Sequence, residues 1–247
     1  MIEVRNLCYR YPGRQTDAVH DVTLDIPETG IVAIMGSNGS GKSTLARCIN
    51  GLLVPTRGSV SVDGMPIGAS HVQNIRRRVG LVFQDPTLQI TSTTVERELA
   101  FGLENMCVSY DEMHERVDRQ LKLLGFEKYR DASPSSLSGG EQQRLAIGAV
   151  MLLDPKYVIF DEATSLLSGI SRRSVIDMML RLHSEQKVSL ILITQFPSEA
   201  MLAERLIILH AGSVVFDKTP SEVFHHVADL SALGVPIPLR SRLGQMA

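Results

Sequence analysis

Ile31-Val32-Ala33-Ile34-Met35-Gly36-Ser37-Asn38-Gly39-Ser40-Gly41-Lys42-Ser43-Thr44 is an apolar run followed at once by a G-x-x-x-x-G-K-[ST] pattern. The run has no polar alternation and is bounded by Gly30 and Gly36, which predicts a strand buried on both faces near the centre of a parallel sheet. Residues from Lys42 to about Asn50 predict a helix behind it. A glycine-rich turn between such a strand and helix cradles phosphates. Its backbone N–H groups turn inward around the phosphate oxygens, and the helix N-terminus adds its dipole. Ser37, Asn38, Gly39, Ser40, Gly41, Lys42, Ser43 and Thr44 are the candidate nucleotide contacts, Lys42 reaching the terminal phosphates and Ser43 offering its hydroxyl to Mg²⁺.

Two further apolar runs, Tyr157 to Phe160 and Leu190 to Ile193, read as buried parallel strands, and helical segments alternate with all three. The first of them ends in Asp161-Glu162, two carboxylates at the strand end where open α/β folds bind ligands. An acidic pair after a strand is most often merely solvated. Beside a phosphate loop, Asp161 is a candidate Mg²⁺ ligand and Glu162 a candidate for orienting or deprotonating an attacking water.

Period-2 alternation at Ile2 and Val4, at Val22, Leu24 and Ile26, and at Val60 and Val62 predicts half-buried strands over residues 1–65. The block at about 86–152 differs. Met113, Val117, Leu121 and Leu124 mark one face of a helix starting near Asp111 and closed by Gly125, and stretches 94–104 and 140–153 are also compatible with helix. Leu206 to Leu209 and Val214 to Phe216 flank Ala211-Gly212 as a hairpin, and the tail from about 220 reads as a short helix with an extended end.

Over 247 residues, Lys+Arg 25 against Asp+Glu 27 gives a formal charge of −2, which argues against a bare nucleic-acid backbone as partner. The start has no secretory pattern, and no apolar run approaches the roughly 20 residues needed to cross a bilayer. Cys8, Cys48 and Cys107 lack metal-type spacing and are expected to be buried thiols of a cytosolic protein.

Leu137-Ser138-Gly139-Gly140-Glu141-Gln142-Gln143-Arg144 has the form of a capped helix start, Ser138 followed three residues later by Glu141. It also resembles the signature motif of ATP-binding-cassette (ABC) ATPases, about twenty residues before the acidic strand as in that family. The resemblance covers residues 1–220 and implies a RecA-like P-loop NTPase core of α/β class, an antiparallel β-subdomain, an inserted helical subdomain at about 86–152, and residues 221–247 as a C-terminal extension. It implies that Tyr11 stacks on adenine, that Gln84 touches Mg²⁺ or the water, and that Ser138, Gly139, Gly140 and Glu141 meet the nucleotide of a second ATPase subunit. Phe83-Gln84-Asp85-Pro86 with Gln89, Ser92 to Glu96 and Ala100 to Asn105 is similar to ATPase subunits of energy-coupling-factor transporters, as are Thr219 to Phe224 and Leu233 to Pro238. That likeness implies ATP and Mg²⁺ as cofactors, and a peripheral place on the cytoplasmic face of the cell membrane. It also implies a membrane coupling subunit and a substrate-binding membrane subunit as partners in uptake of a vitamin or transition-metal ion. Glu96 and Glu98 are acidic candidates on the docking helix, or a solvated face.

The sequence departs from the family pattern twice. Ser168 stands where the loop after the acidic strand normally ends in Asp, and Gln195 stands in place of the switch histidine. An amide donates and accepts hydrogen bonds but does not become a cation near neutral pH, so turnover should suffer more than binding. One half of an ATPase heterodimer with a slow site of its own is the expected role. The alternatives are a regulatory subunit with little hydrolysis and the ATPase of an ordinary ABC importer. A soluble cassette acting in DNA repair or translation is disfavoured, because neither a coiled-coil insertion nor a second cassette is present.

Overall fold

The computed structural model describes residues 1–239. In chain order its elements are β1 (Ile2–Tyr9), β2 (Val19–Ile26), β3 (Ile31–Met35), α1 (Lys42–Ile49), β4 (Arg57–Val62), β5 (Met65–Pro66), α2 (Val72–Arg78), β6 (Val79–Val82), α3 (Val95–Asn105), α4 (Tyr110–Leu124), α5 (Gly139–Met151), β7 (Tyr157–Asp161), α6 (Gly169–Gln186), β8 (Ser189–Ile193), α7 (Pro197–Ala200), β9 (Arg205–His210), β10 (Ser213–Lys218), α8 (Pro220–His225) and α9 (Val227–Ala232). Strands β2-β1-β4-β5 form an antiparallel sheet, and a second sheet runs β10-β9-β3-β8-β7-β6. Every pairing in the second sheet is parallel except β9 with β10.

The continuous apolar runs have a direct cause. Ile31, Ala33, Met35, Val158, Phe160, Leu190 and Leu192 point into one core with α5, α6 and α8. Their neighbours Val32, Ile34, Tyr157, Ile159, Ile191 and Ile193 point into a second core shared with α1 and the antiparallel sheet. A strand covered on both faces has no polar side to show. Five strands are parallel rather than the three expected. The short β6 was hidden in the stretch leading to Gln84, and β9 pairs with β3 as well as with β10.

Helices α3, α4 and α5 enclose a third core in which Val117, Leu121 and Leu124 are buried, and Gly125 at φ 68 ends α4. The tail holds two short helices rather than one. Val223, Phe224, Leu230, Val235 and Ile237 enter the first core, so residue 220 lies inside a capped helix and not in a linker. The part of the expected extension beyond 239 lies outside the described residues. Among the described residues no helix is long and apolar enough to cross a membrane. Two of the three cysteines are buried as expected, but Cys107 is exposed. Ligand atoms of Cys8, Asp17 and His20 come within 4.8 Å of one another, yet Arg10 at 2.7 Å and Arg57 at 3.8 Å already supply Asp17 with cations.

Candidate functional site

Strand order builds the site. The chain leaves β3 into the glycine-rich loop, β8 lies beside β3, and β7 lies beside β8, all parallel, so their C-terminal ends share one edge. Residues following β8 therefore emerge between the glycine loop and the acidic pair. Gln195 is there: its Nε2 donates to Glu162 Oε2 at 2.8 Å and to Asn38 Oδ1 at 3.0 Å.

The loop itself wraps the buried Lys42, whose Nζ donates to the backbone oxygens of Gly36 at 2.9 Å and Ser37 at 3.1 Å and lies 3.9 Å from Glu162 Oε1. Gly41 has φ +101, and a Cβ there would meet the backbone oxygen of Ala18 at 2.3 Å, so only glycine fits. Ser43 Oγ donates to Asp161 Oδ1 at 2.8 Å. Burial pushes Lys42 down and Asp161 up, each towards its neutral form. The nearby Glu162 and Asp161 carboxylates oppose the shift of Lys42, and the Ser43 hydrogen bond followed by Arg47 opposes that of Asp161. The Ser40 hydroxyl is buried without a hydrogen-bond partner. The cradle holds opposed charges in a desolvated place and two oxygens, Ser43 Oγ and Asp161 Oδ1, of the hard type that suits Mg²⁺.

Glu162 takes φ 53, a left-handed conformation uncommon for a residue with a Cβ, while its N–H donates to Ile193 at 2.9 Å. Strain at this carboxylate is held by the β8 end. Gln84 approaches from the outer side of β7. Its Nε2 donates to Ser165 Oγ at 3.0 Å, and that hydroxyl donates to the Glu162 backbone oxygen at 2.9 Å. Gln84 thus connects to the Glu162 backbone through Ser165. Tyr11 closes the cradle at Thr44, its hydroxyl 3.1 Å from Thr44 Oγ1, with its ring edge-on to Tyr9. Gly39 and Thr44 complete the loop and the first helical turn.

The Ser138–Glu141 segment is not drawn into this cradle. Ser138 Oγ accepts from the Glu141 N–H, and Glu141 Oε2 accepts from the Ser138 hydroxyl at 2.7 Å and from the Ser138 N–H at 2.8 Å; those two bonds, the hydroxyl's first, hold the Glu141 carboxyl below its ordinary range. Gly140 packs on α6, where a Cβ would lie 2.7 Å from Ser171, whereas nothing lies within 4 Å of one built on Gly139.

Glu98 corrects an expectation. It is buried, and its Oε2 accepts from the N–H groups of Thr91 and Ser92, both at 2.9 Å, so it is neither a solvated acid nor a docking charge. Glu96 pairs with Arg130. Pattern reading also missed Ser165, Gln143 and Glu199. Gln143 is fully buried and donates to the backbone oxygen of Phe83, tying α5 to the segment that carries Gln84. No local pattern marks them, since Gln143 stands between Gln142 and Arg144, Ser165 follows Thr164 and Glu199 follows Ser198.

A family model described as ABC transporter matches residues 19–165. The chain belongs to the ABC transporter family. This ABC ATPase is 42% identical over 236 residues to the energy-coupling factor transporter ATP-binding protein EcfA of Syntrophomonas wolfei, covering 95% of this chain and 86% of that one. It is 40% identical over 243 residues to EcfA1 of Ligilactobacillus salivarius, covering 98% and 86%. Among solved structures it matches cbiO1 from Clostridium perfringens, described as part of the ABC transporter complex cbiONQ, with a TM-score of 0.82 and 29% identity over 99% of this chain and 98% of that one. It also matches a dimeric ATP-binding cassette in a post-hydrolysis state bound to ADP and Pi, with a TM-score of 0.79 and 28% identity over 89% and 99%. The ABC ATPase is thus an ATP-hydrolysing subunit of an energy-coupling-factor type importer.

Proposed function

We propose that this subunit binds ATP in its own cradle, cleaves it slowly, and completes a faster site on a second, non-identical cassette through Ser138, Gly139, Gly140 and Glu141. The observation carrying this reading is Gln195, whose amide lies between Glu162 and Asn38 where a chargeable imidazole is the family's device. Lys42 exchanges its two carbonyl partners for the terminal phosphates of ATP. Ser43 and Asp161 would hold Mg²⁺, which supplies charge neutralisation at the phosphates. Tyr11 offers its ring to adenine. Glu162 orients the attacking water and takes its proton, with Gln84 reaching the same neighbourhood through Ser165. The Gln195 amide keeps the Glu162 carboxylate aimed but adds no positive charge to the transferring phosphoryl group, which is why cleavage is slow.

In this reading residues 1–220 form the motor, and the helical segment at 86–152 passes its motion to an integral membrane coupling subunit. A separate membrane subunit binds the vitamin or metal ion, and the motor sits peripherally on the cytoplasmic face. The test is single-turnover ATP cleavage by this subunit paired with a cassette whose own catalytic glutamate is replaced. Slow cleavage with retained ATP is expected, and near-normal cleavage overturns the assignment. The same Gln195 geometry favours a second reading, a regulatory subunit, in which no cleavage at this site is detectable at all.

A further inference from the structure

Glu199, in α7, is buried, and its two carboxylate oxygens are divided between two loops. The Thr164 hydroxyl donates to Oε1 at 2.6 Å and the Thr194 hydroxyl to Oε2 at 2.5 Å, both threonines being buried as well. Among the described residues no cation pairs with it. An apolar side chain would fill the same space without the cost of desolvating a carboxyl group, so space-filling is the poorer account of this residue.

The two threonines have informative places. Thr164 is two residues after Glu162, and Thr194 immediately precedes Gln195. Thr194 Oγ1 also accepts from the Phe196 N–H at 3.0 Å, which fixes the chain on the far side of Gln195. A second clasp runs parallel to the first: Arg172 donates to the backbone oxygens of Thr164 and Leu167, both at 3.3 Å, and lies 3.7 Å over the Phe196 ring. Both clasps join the loop after β7 to the loop after β8, the two segments between which the Gln195–Glu162 hydrogen bond is made.

We propose that Glu199 is a positioning residue that clamps Thr164 to Thr194 and thereby holds the Gln195 amide on Glu162. The assignment rests on the reading of Glu162 and Gln195 given above. The experiment is a double-mutant cycle in the full-length chain, reading single-turnover ATP cleavage and fluorescent-nucleotide affinity. Glu199→Ala is expected to lower cleavage about 10- to 100-fold with affinity changed less than about 3-fold, because the glycine loop is untouched. Thr164→Val, nearly isosteric and a safeguard should the alanine variant fold poorly, is expected to cost about 3- to 10-fold by opening one arm. In a Gln195→Ala background neither substitution costs more than about 2-fold further, since the clamp then has nothing to place. A merely structural role predicts losses that multiply across the two backgrounds. Such multiplication overturns the proposal, as does full-rate cleavage by Glu199→Ala and Thr164→Val while Gln195→Ala is slow. If Gln195→Ala itself cleaves at the unmodified rate, the site reading and the clamp fall together.

Discussion

The glycine loop and the Ser138–Glu141 segment both begin helices and both carry paired glycines, yet they are built in opposite ways. At the loop, Lys42 and Asp161 are buried, Lys42 is held by the loop's own carbonyls at Gly36 and Ser37 and Asp161 by Ser43, and the glycine at 41 is demanded by a backbone oxygen 2.3 Å from where a Cβ would be. At the signature segment, Ser138 and Glu141 satisfy only each other, Ser138 stays exposed, and Gly139 faces open space. The first is a finished cradle. The second is a finished cap whose outer glycine face is unused by this chain, which is what a surface meant for another subunit's phosphate looks like.

The strongest way to break the comparison is to add one methyl group to each region. Gly41→Ala must move the backbone, and ATP affinity measured by nucleotide titration is expected to fall at least about 100-fold. Gly139→Ala is expected to leave this subunit's affinity within about 2-fold while slowing cleavage by the partner cassette. Equal losses from the two would erase the distinction. Next in size, Glu162→Gln should slow single-turnover cleavage by about 100-fold with ATP retained, since a proton acceptor is removed and the phosphate contacts are not.

The remaining two predictions concern carboxyl groups displaced in opposite directions. Asp161 is held above its ordinary value of 3.8, chiefly by burial, so its ionised form costs stability. Asp161→Asn is expected to abolish cleavage and yet raise the melting temperature of the nucleotide-free protein by about 2–4 °C, roughly 1 kcal/mol. That gain is full above the folded-state pKa and fades as the pH falls through it towards 3.8. Glu141 is displaced the other way. Its folded pKa lies below 4.5, so its contribution is present above 4.5 and lost as the pH falls through the folded value. Glu141→Gln is expected to cost about 0.5 kcal/mol near neutral pH, or about 1–2 °C, and less in acid.

What could be read from the chain in advance follows the range of each interaction. The glycine loop, the acidic pair and the capping box are set within nine residues or fewer, so spacing alone reveals them. The α4 face was equally legible, because Val117, Leu121 and Leu124 repeat with the helix. Glu98, Gln143 and Glu199 were not legible as buried groups, since each hydrogen-bonds to a partner that only the fold brings near: the turn at Thr91-Ser92, the Phe83 carbonyl, and the two threonines. Gln195 lies between these cases. Its unusual identity was visible in the sequence, but its reach to both Asn38 and Glu162 follows from β8 lying between β3 and β7.

That strand order also governs when the protein can begin to work. Strand β3, which carries the glycine loop, has β8 and β9 as its only sheet neighbours among the described residues, and these come from residues 189–210. On a ribosome, β3 emerges unpaired and waits roughly 10–30 s, at common elongation rates, for its partners to be synthesised. Such high contact order makes the sheet slow to assemble and leaves an apolar strand open to wrong pairings meanwhile. The early antiparallel sheet and α1 share a core with β3 and can shelter one face of it, whereas the other face depends on segments made last. Nascent chains arrested before residue 189 are therefore expected to aggregate and to lack nucleotide binding, while arrest after residue 218, once β9 and β10 are clear of the exit tunnel, restores both solubility and binding.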